Sequence, residues 1–187
     1  MELALTKDWT LFLDRDGVIN EELPGTYVNH LDEFTFYPNA VAAISILSQL
    51  FCKTIVVTNQ KGVGRGITPL TALESIHHHL TAAVEAAGGT IHRIYFCPDL
   101  ENDSSNRKPN PGMAFQAAKD FPEIDLTRSI MVGNNSSDMH FGRSAGMGCN
   151  VILTTTNPLN LIDPSIYDLH FASLYDAALF LQGRVKK

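Results

Sequence analysis

The chain has 187 residues, of which 44% are hydrophobic and 18% charged, and a formal net charge of −6. This length suits one domain over 1–187, able to bury roughly two-thirds of the surface its unfolded form exposes. An ordinary apolar share with modest charge argues against disorder, and the acidic balance argues against a nucleic-acid or anionic-membrane surface, which would need a cationic excess.

In chain order, Trp9-Thr10-Leu11-Phe12-Leu13 reads as a strand that stops at Asp14. Pro38 to Phe51 reads as a helix with Val41, Ile44, Leu47 and Leu50 on one stripe and Pro38 in its first turn. Thr54-Ile55-Val56-Val57 is a second strand ending at Thr58-Asn59. Thr68-Pro69 opens a helix with the stripe Leu70, Leu73, Ile76, Leu80 and Val84, closed by Gly88-Gly89. Ile91 to Phe96 is a third strand, Pro111 to Phe121 a short helix, and Ile130-Met131-Val132 a fourth strand ending at Gly133-Asn134. Ser137 to Ala145, Val151-Ile152-Leu153, the weaker Leu169-His170-Phe171 and Leu174 to Leu181 complete an alternating series of strands and helices. This alternation predicts an α/β domain with a mainly parallel, Rossmann-like sheet and helices on both faces.

No run approaches the roughly 20 apolar residues of a membrane span, and the N-terminal residues lack the basic and apolar regions of a signal peptide. A cytoplasmic protein is expected. Cys52, Cys97 and Cys149 are odd in number and widely spaced, so reduced thiols are expected rather than a disulfide framework.

The chemistry gathers at strand ends. In an open parallel sheet, ligands bind where the loops leaving the carboxyl edge converge, so Asp14, Thr58 and Asn134 are expected to meet. Leu13-Asp14-Arg15-Asp16-Gly17 places two carboxylates two residues apart after a buried strand. Such a pair can hold a hard cation or divide the work of nucleophile and proton carrier; it also suits a polar turn. Thr58-Asn59-Gln60 supplies a hydroxyl and amides, followed by Lys61-Gly62-Val63-Gly64-Arg65-Gly66, which reads as a flexible, anion-compatible loop. Arg107-Lys108 sets two adjacent cations before a helix, and Gly133-Asn134-Asn135-Ser136-Ser137-Asp138 offers oxygens or a helix cap.

These four segments, in this order, resemble the haloacid dehalogenase superfamily of phosphohydrolases over nearly the whole chain. The closest resemblance is to its heptose-bisphosphate phosphatase group and the related histidinol-phosphate phosphatases. The resemblance implies that Asp14 attacks phosphorus to form an aspartyl phosphate, that Asp16 is the proton carrier, and that Thr58 and Lys108 stabilise the phosphoryl group. It implies Mg²⁺ on Asp14, the Asp16 carbonyl and Asn134, with Asp138 nearby. Asn20, Asn59, Gln60, Lys61, Arg65, Arg107 and Asn135 fall in its substrate-contacting segments, with Arg107 the clamp for a second phosphate. It further implies a monomer acting on a small phosphorylated sugar, heptose 1,7-bisphosphate being favoured, with removal of the 7-phosphate. Histidinol phosphate is the alternative substrate, and a non-catalytic phosphate-binding or regulatory domain the alternative of another class. Asn20 to Pro38 is a loop over the site, and no insertion is long enough for a cap.

Two departures from the family pattern matter. Its zinc loop, Cys-x-His followed by Cys-x-Cys, is reduced here to Cys97, with Asp99, Ser104 and Asn106 at the other positions, so no structural zinc is expected. Where the family has Gly-Asp after the fourth strand, this chain has Gly133-Asn134. An amide ligates Mg²⁺ without charge, so weaker metal binding, recruitment of Asp138 as a ligand, and an impaired site are all open. His77-His78-His79 is not read as a metal tract, because successive helical side chains diverge by about 100°.

Overall fold

The computed structural model describes residues 5–23 and 25–184. The first residues of the N-terminus, where a signal peptide was sought, and Pro24 in the loop over the site lie outside that range. Six parallel strands form one sheet in the order β3-β2-β1-β4-β5-β6: β1 Thr10–Leu13, β2 Lys53–Asn59, β3 Arg93–Cys97, β4 Ser129–Gly133, β5 Cys149–Leu153 and β6 Leu169–Phe171. The helices are α1 Ala40–Leu50, α2 Lys61–Gly64, α3 Leu70–Ala86, α4 Gly112–Asp120, α5 Ser136–Ser144 and α6 Leu174–Gln182.

The central strands are apolar on both faces because both are covered. Along β1, Leu11 and Leu13 join a core with Ile44 and Leu47 of α1, Ile76 and Leu80 of α3 and Ala177 and Leu181 of α6. Phe12 points the other way, into a second core with Met113 and Ala117 of α4 and Met139 and Phe141 of α5. The same alternation sends Ile130 and Val132 to the first core and Met131 to the second. Within the predicted stripe of α3, Leu73, Ile76, Leu80 and Val84 are buried, while Leu70, in the first turn, is exposed.

Register explains why distant residues meet. Leu13 is paired with Val56 on one side and Val132 on the other, so β1 and β4 run out at nearly the same level while β2 continues beside them to Asn59. The chain order reverses about β1, with β2 and β3 to one side and β4 to β6 to the other, which opens a crevice at the carboxyl ends of β1 and β4. Cys149 is buried at the start of β5, where burial pushes its thiol up to about 12; Cys52 is only half-buried.

Candidate active site

Asp14 is the first residue past β1, and its amide still donates to the Val132 carbonyl at 3.0 Å, so the ladder sets where the loop begins. The chain then turns tightly. The amides of Val18, Ile19 and Asn20 converge on the Arg15 carbonyl, at 3.2, 2.8 and 3.3 Å. Gly17 has φ +80°, and a Cβ there would stand 2.0 Å from Asn134 Nδ2. The left-handed backbone and the close approach both call for glycine, and together they seat the Asn134 amide against the Asp14–Gly17 loop.

Lys108 reaches the same corner from the loop after β3. Its Nζ lies 2.8 Å from Asp14 Oδ1 and 2.6 Å from Asp138 Oδ1, and its side chain is 2% exposed. Asn59 pins the Lys108 backbone from both sides: its Oδ1 accepts from the Lys108 amide and its Nδ2 donates to the Lys108 carbonyl, each at 3.0 Å. Burial pushes the Asp14 carboxyl up to about 7, and the Asp138 charge adds to this while Lys108 opposes it. Burial works against the Lys108 charge, yet Asp138 and Asp14 prevail and raise its ammonium above the ordinary range.

Asp138 is fully engaged. Its Oδ2 accepts from the amides of Asn134 and Asn135 at 3.1 and 3.0 Å, closing the first turn of α5, while Oδ1 faces Lys108. Its role in this structure is to hold the β4–α5 turn and the lysine together.

Asp16 sits in a cage of donors. Arg15, itself fully buried, grips both oxygens, at 2.8 and 2.9 Å from Nη2, while Asn20 Nδ2 reaches Oδ1 at 2.9 Å and Gln60 Nε2 reaches Oδ2 at 2.8 Å. Burial disfavours the Asp16 charge, but Arg15, Asn20 and Gln60 outweigh it and hold the carboxyl below the usual range. In this arrangement Asp16 is an anion, suited to accepting a proton. Donating one first requires that the Arg15 grip loosen.

Behind Arg15 stands His77 of α3, its Nε2 3.2 Å from Arg15 Nη1. Because arginine can only donate, Nε2 accepts, and the ring is neutral with its proton on Nδ1. Burial, and then the Arg15 charge, lower the His77 pKa to about 4. From pH 7.5 to 5.0 the unfolded chain protonates His77, with an ordinary pKa near 6.5, while the folded protein does not, so stability falls as pH falls. The loss from this group is about 2 kcal/mol. Urea unfolding of wild type and His77→Gln at the two pH values checks this: the wild type should lose about 2 kcal/mol more than the variant. The neighbouring histidines diverge as helical geometry requires, His79 packing on Phe34 and Phe36 and His78 facing solvent.

These groups border a pocket of about 280 Å³ lined by Asp14, Asp16, Thr58, Asn59, Gln60, Arg107, Lys108 and Asn135, with Glu22, Tyr27 and Ser137 on its other walls. Three expected substrate contacts fall elsewhere. Asn20 is fully buried and serves Asp16. Lys61 turns to Asn102 Oδ1 at 3.2 Å. Arg65 lies over the Tyr27 ring, 5.9 Å from its centroid, and donates to the Tyr27 hydroxyl at 2.9 Å. The reason is local: residues 61–64 form a helical turn rather than a flexible loop. Gly62 and Gly64 are there for close packing, since a Cβ would meet Thr68 Oγ1 at 2.3 Å or the Pro98 carbonyl oxygen at 2.0 Å. Amides that could have bound an anion are spent on this turn, those of Ile67 and Thr68 on the Gly62 carbonyl.

Glu22, Ser137 and His77 carried no signal of their own in the sequence. Glu22 is one of several acidic residues in a loop, Ser137 looked like a helix cap, and His77 belonged to a run of three. Around Cys97, Ser104 donates to Asp99, and the described residues contain no group of three or more His, Cys, Asp or Glu able to hold a metal.

The HAD-hydrolase-like family model matches residues 105–160, from the Arg107-Lys108 pair through α5 and β5. A D-glycero-D-manno-heptose-1,7-bisphosphate 7-phosphatase of Thermosynechococcus vestitus is 34% identical over 158 residues, 78% of each chain. The chain belongs to the haloacid dehalogenase-like hydrolase family. Another such member is the D-glycero-beta-D-manno-heptose-1,7-bisphosphate 7-phosphatase of Pseudomonas aeruginosa, 37% identical over 78% of this chain and 80% of that one. Among solved haloacid dehalogenase-like structures, the D,D-heptose 1,7-bisphosphate phosphatase of B. bronchiseptica, complexed with magnesium and phosphate, matches with a TM-score of 0.85. It is 27% identical and is covered over 99% of its length by 95% of this chain.

Proposed function

We propose that this protein is a Mg²⁺-dependent phosphomonoester hydrolase that removes the 7-phosphate of D-glycero-D-manno-heptose 1,7-bisphosphate. The observation that carries the reading is Lys108 Nζ set between the buried carboxylates of Asp14 and Asp138 at the floor of a pocket that also contains Asp16 and Arg107. A carboxylate nucleophile needs a cation beside it before it can approach an anionic phosphate, and Lys108 supplies one.

The residues present fit a hard cation. Asp14 offers a carboxylate, Asp16 a backbone carbonyl, and Asn134 an Oδ1 that is buried without a hydrogen-bond partner, an all-oxygen set of the kind Mg²⁺ takes. Bound there, the ion would neutralise the phosphate and the Asp14 carboxylate. Asp14 attacks phosphorus, forming the aspartyl phosphate as the P–O bond to the sugar breaks. With the Arg15 grip loosened and a proton taken up from solvent, Asp16 gives that proton to the sugar oxygen and then takes one from the water that cleaves the aspartyl phosphate. Thr58 and Lys108 hold the phosphoryl oxygens, and Arg107 offers a planar fork to the second phosphate. Free cysteines and the lack, among the described residues, of any helix long and apolar enough to cross a membrane support work in the cytoplasm.

Phosphate release from both anomers of heptose 1,7-bisphosphate, fructose bisphosphate and histidinol phosphate tests the assignment. A kcat/KM at least about tenfold higher for a heptose bisphosphate than for histidinol phosphate is expected, since one well-placed charged contact to the second phosphate is worth that much. Preference for histidinol phosphate would overturn the sugar assignment, and no release from any substrate would point to a binding domain.

A further inference from the structure

Asn134 gives the proposed cation an oxygen but no charge, and the structure shows what stands behind that amide. Asn134 Nδ2 donates to Thr156 Oγ1 at 2.6 Å and to Glu22 Oε2 at 3.4 Å. An ionised carboxylate can only accept, so the end of the amide turned to Glu22 is the nitrogen, which leaves Oδ1 on the other side. That Oδ1 is buried and has no hydrogen-bond partner. The backbone of Asn134 is also held, its amide by Asp138 Oδ2 at 3.1 Å and its carbonyl by Asn157 Nδ2 at 3.2 Å, and the side chain is wedged against Gly17.

We propose that Glu22 is a positioning residue for the cation, acting through the Asn134 amide: it fixes Oδ1 toward the site and lends it the negative charge that asparagine lacks. An amide whose N–H bonds a carboxylate carries more charge on its carbonyl oxygen, and outer groups of this kind orient and strengthen metal ligands. Thr156 takes the second N–H and completes the orientation. Glu22 lies on the pocket rim, carried by the loop after the Asp14–Asn20 turn, so a residue far from Asn134 in sequence supplies the missing charge.

This inference rests on the metal reading given under the proposed function, and one set of measurements separates the two. Mg²⁺ binding without substrate is measured by titration calorimetry on the full chain for wild type, Glu22→Gln, Asn134→Asp and the double variant, with melting temperatures recorded alongside. Glu22→Gln should weaken Mg²⁺ binding about five- to tenfold in the wild-type background. With Asn134→Asp the carboxylate cannot donate to Glu22 and is repelled by it, so adding Glu22→Gln should leave Mg²⁺ affinity unchanged or tighten it. A merely structural role for Glu22 would weaken binding in both backgrounds. Equal weakening in both backgrounds would make Glu22 a direct ligand or a general field effect and overturn the proposal. So would unchanged affinity in Glu22→Gln. No saturable Mg²⁺ binding by wild type would overturn the metal reading itself, and this inference with it.

Discussion

Asp14→Asn is expected to lower phosphate release by at least about 10⁴-fold, the scale of losing a covalent nucleophile. The substitution keeps the shape of the side chain and an oxygen for the two groups that meet Asp14 Oδ1, the Arg15 amide at 2.7 Å and Lys108 Nζ at 2.8 Å. What it removes is the charge and the electron pair that attack phosphorus. Without added divalent cation the variant should be at least as stable as the wild type at pH 8. Burial and the nearby Asp138 already disfavour the Asp14 charge, raising its carboxyl to about 7. A phosphate-release assay with thermal unfolding checks both halves. Activity within tenfold of wild type would remove Asp14 from the mechanism, and a collapse of the melting temperature would mean that the lost activity reports unfolding.

Lys108→Met is expected to damage both function and fold. Lys108 Nζ is the cation between two carboxylates in a corner where its own side chain is 2% exposed and that of Asp138 1% exposed. Taking one partner from a buried ion network leaves uncompensated charge, a cost of about 3–5 kcal/mol. Activity should fall by about 10²–10⁴-fold as well, since a fixed cation beside the developing phosphoryl charge is lost. Two further measurements identify the cause. The stability deficit should shrink as pH falls and Asp14, whose carboxyl burial already raises to about 7, takes up a proton. Adding Asp138→Asn should restore much of the stability without restoring activity. If Lys108→Met/Asp138→Asn is as unstable as Lys108→Met, packing rather than charge explains the loss.

These effects trace to features that are unevenly visible in the sequence. The strands were legible because a central parallel strand, covered on both faces, must be apolar through its middle, as Leu11–Leu13, Ile55–Val57 and Ile130–Val132 are. Asp14, Thr58 and Asn134 were legible because each is the first polar departure from such a run, and a parallel sheet sends all its strand ends to one edge. Lys108 stood out through the adjacent Arg107 and the helix that follows. The contacts of Lys61 and Arg65 were not legible, because the glycines between them read as flexibility. Gly62 and Gly64 allow the turn to pack against Thr68, Tyr27 and Pro98, with Lys61 reaching Asn102 and Arg65 reaching Tyr27 on the pocket wall. The partner of Asn20 was hidden for a related reason: the turn of residues 15–20 folds back on itself and brings the Asn20 side-chain amide to Asp16.

The amino-acid sequence by itself determined the α/β class, the placement of nearly every strand and helix, and the carboxylates and cations that gather at the sheet edge. Periodicity and strand-end polarity are local properties, written within a few residues. Only the tertiary structure decided the partners of those groups: Lys108 between Asp14 and Asp138, His77 behind Arg15, and Glu22 and Thr156 on the Asn134 amide. Charge balance in a buried corner depends on which side chains the fold brings within about 3 Å, and residues 112 positions apart, such as Glu22 and Asn134, carry no mark of that meeting along the chain.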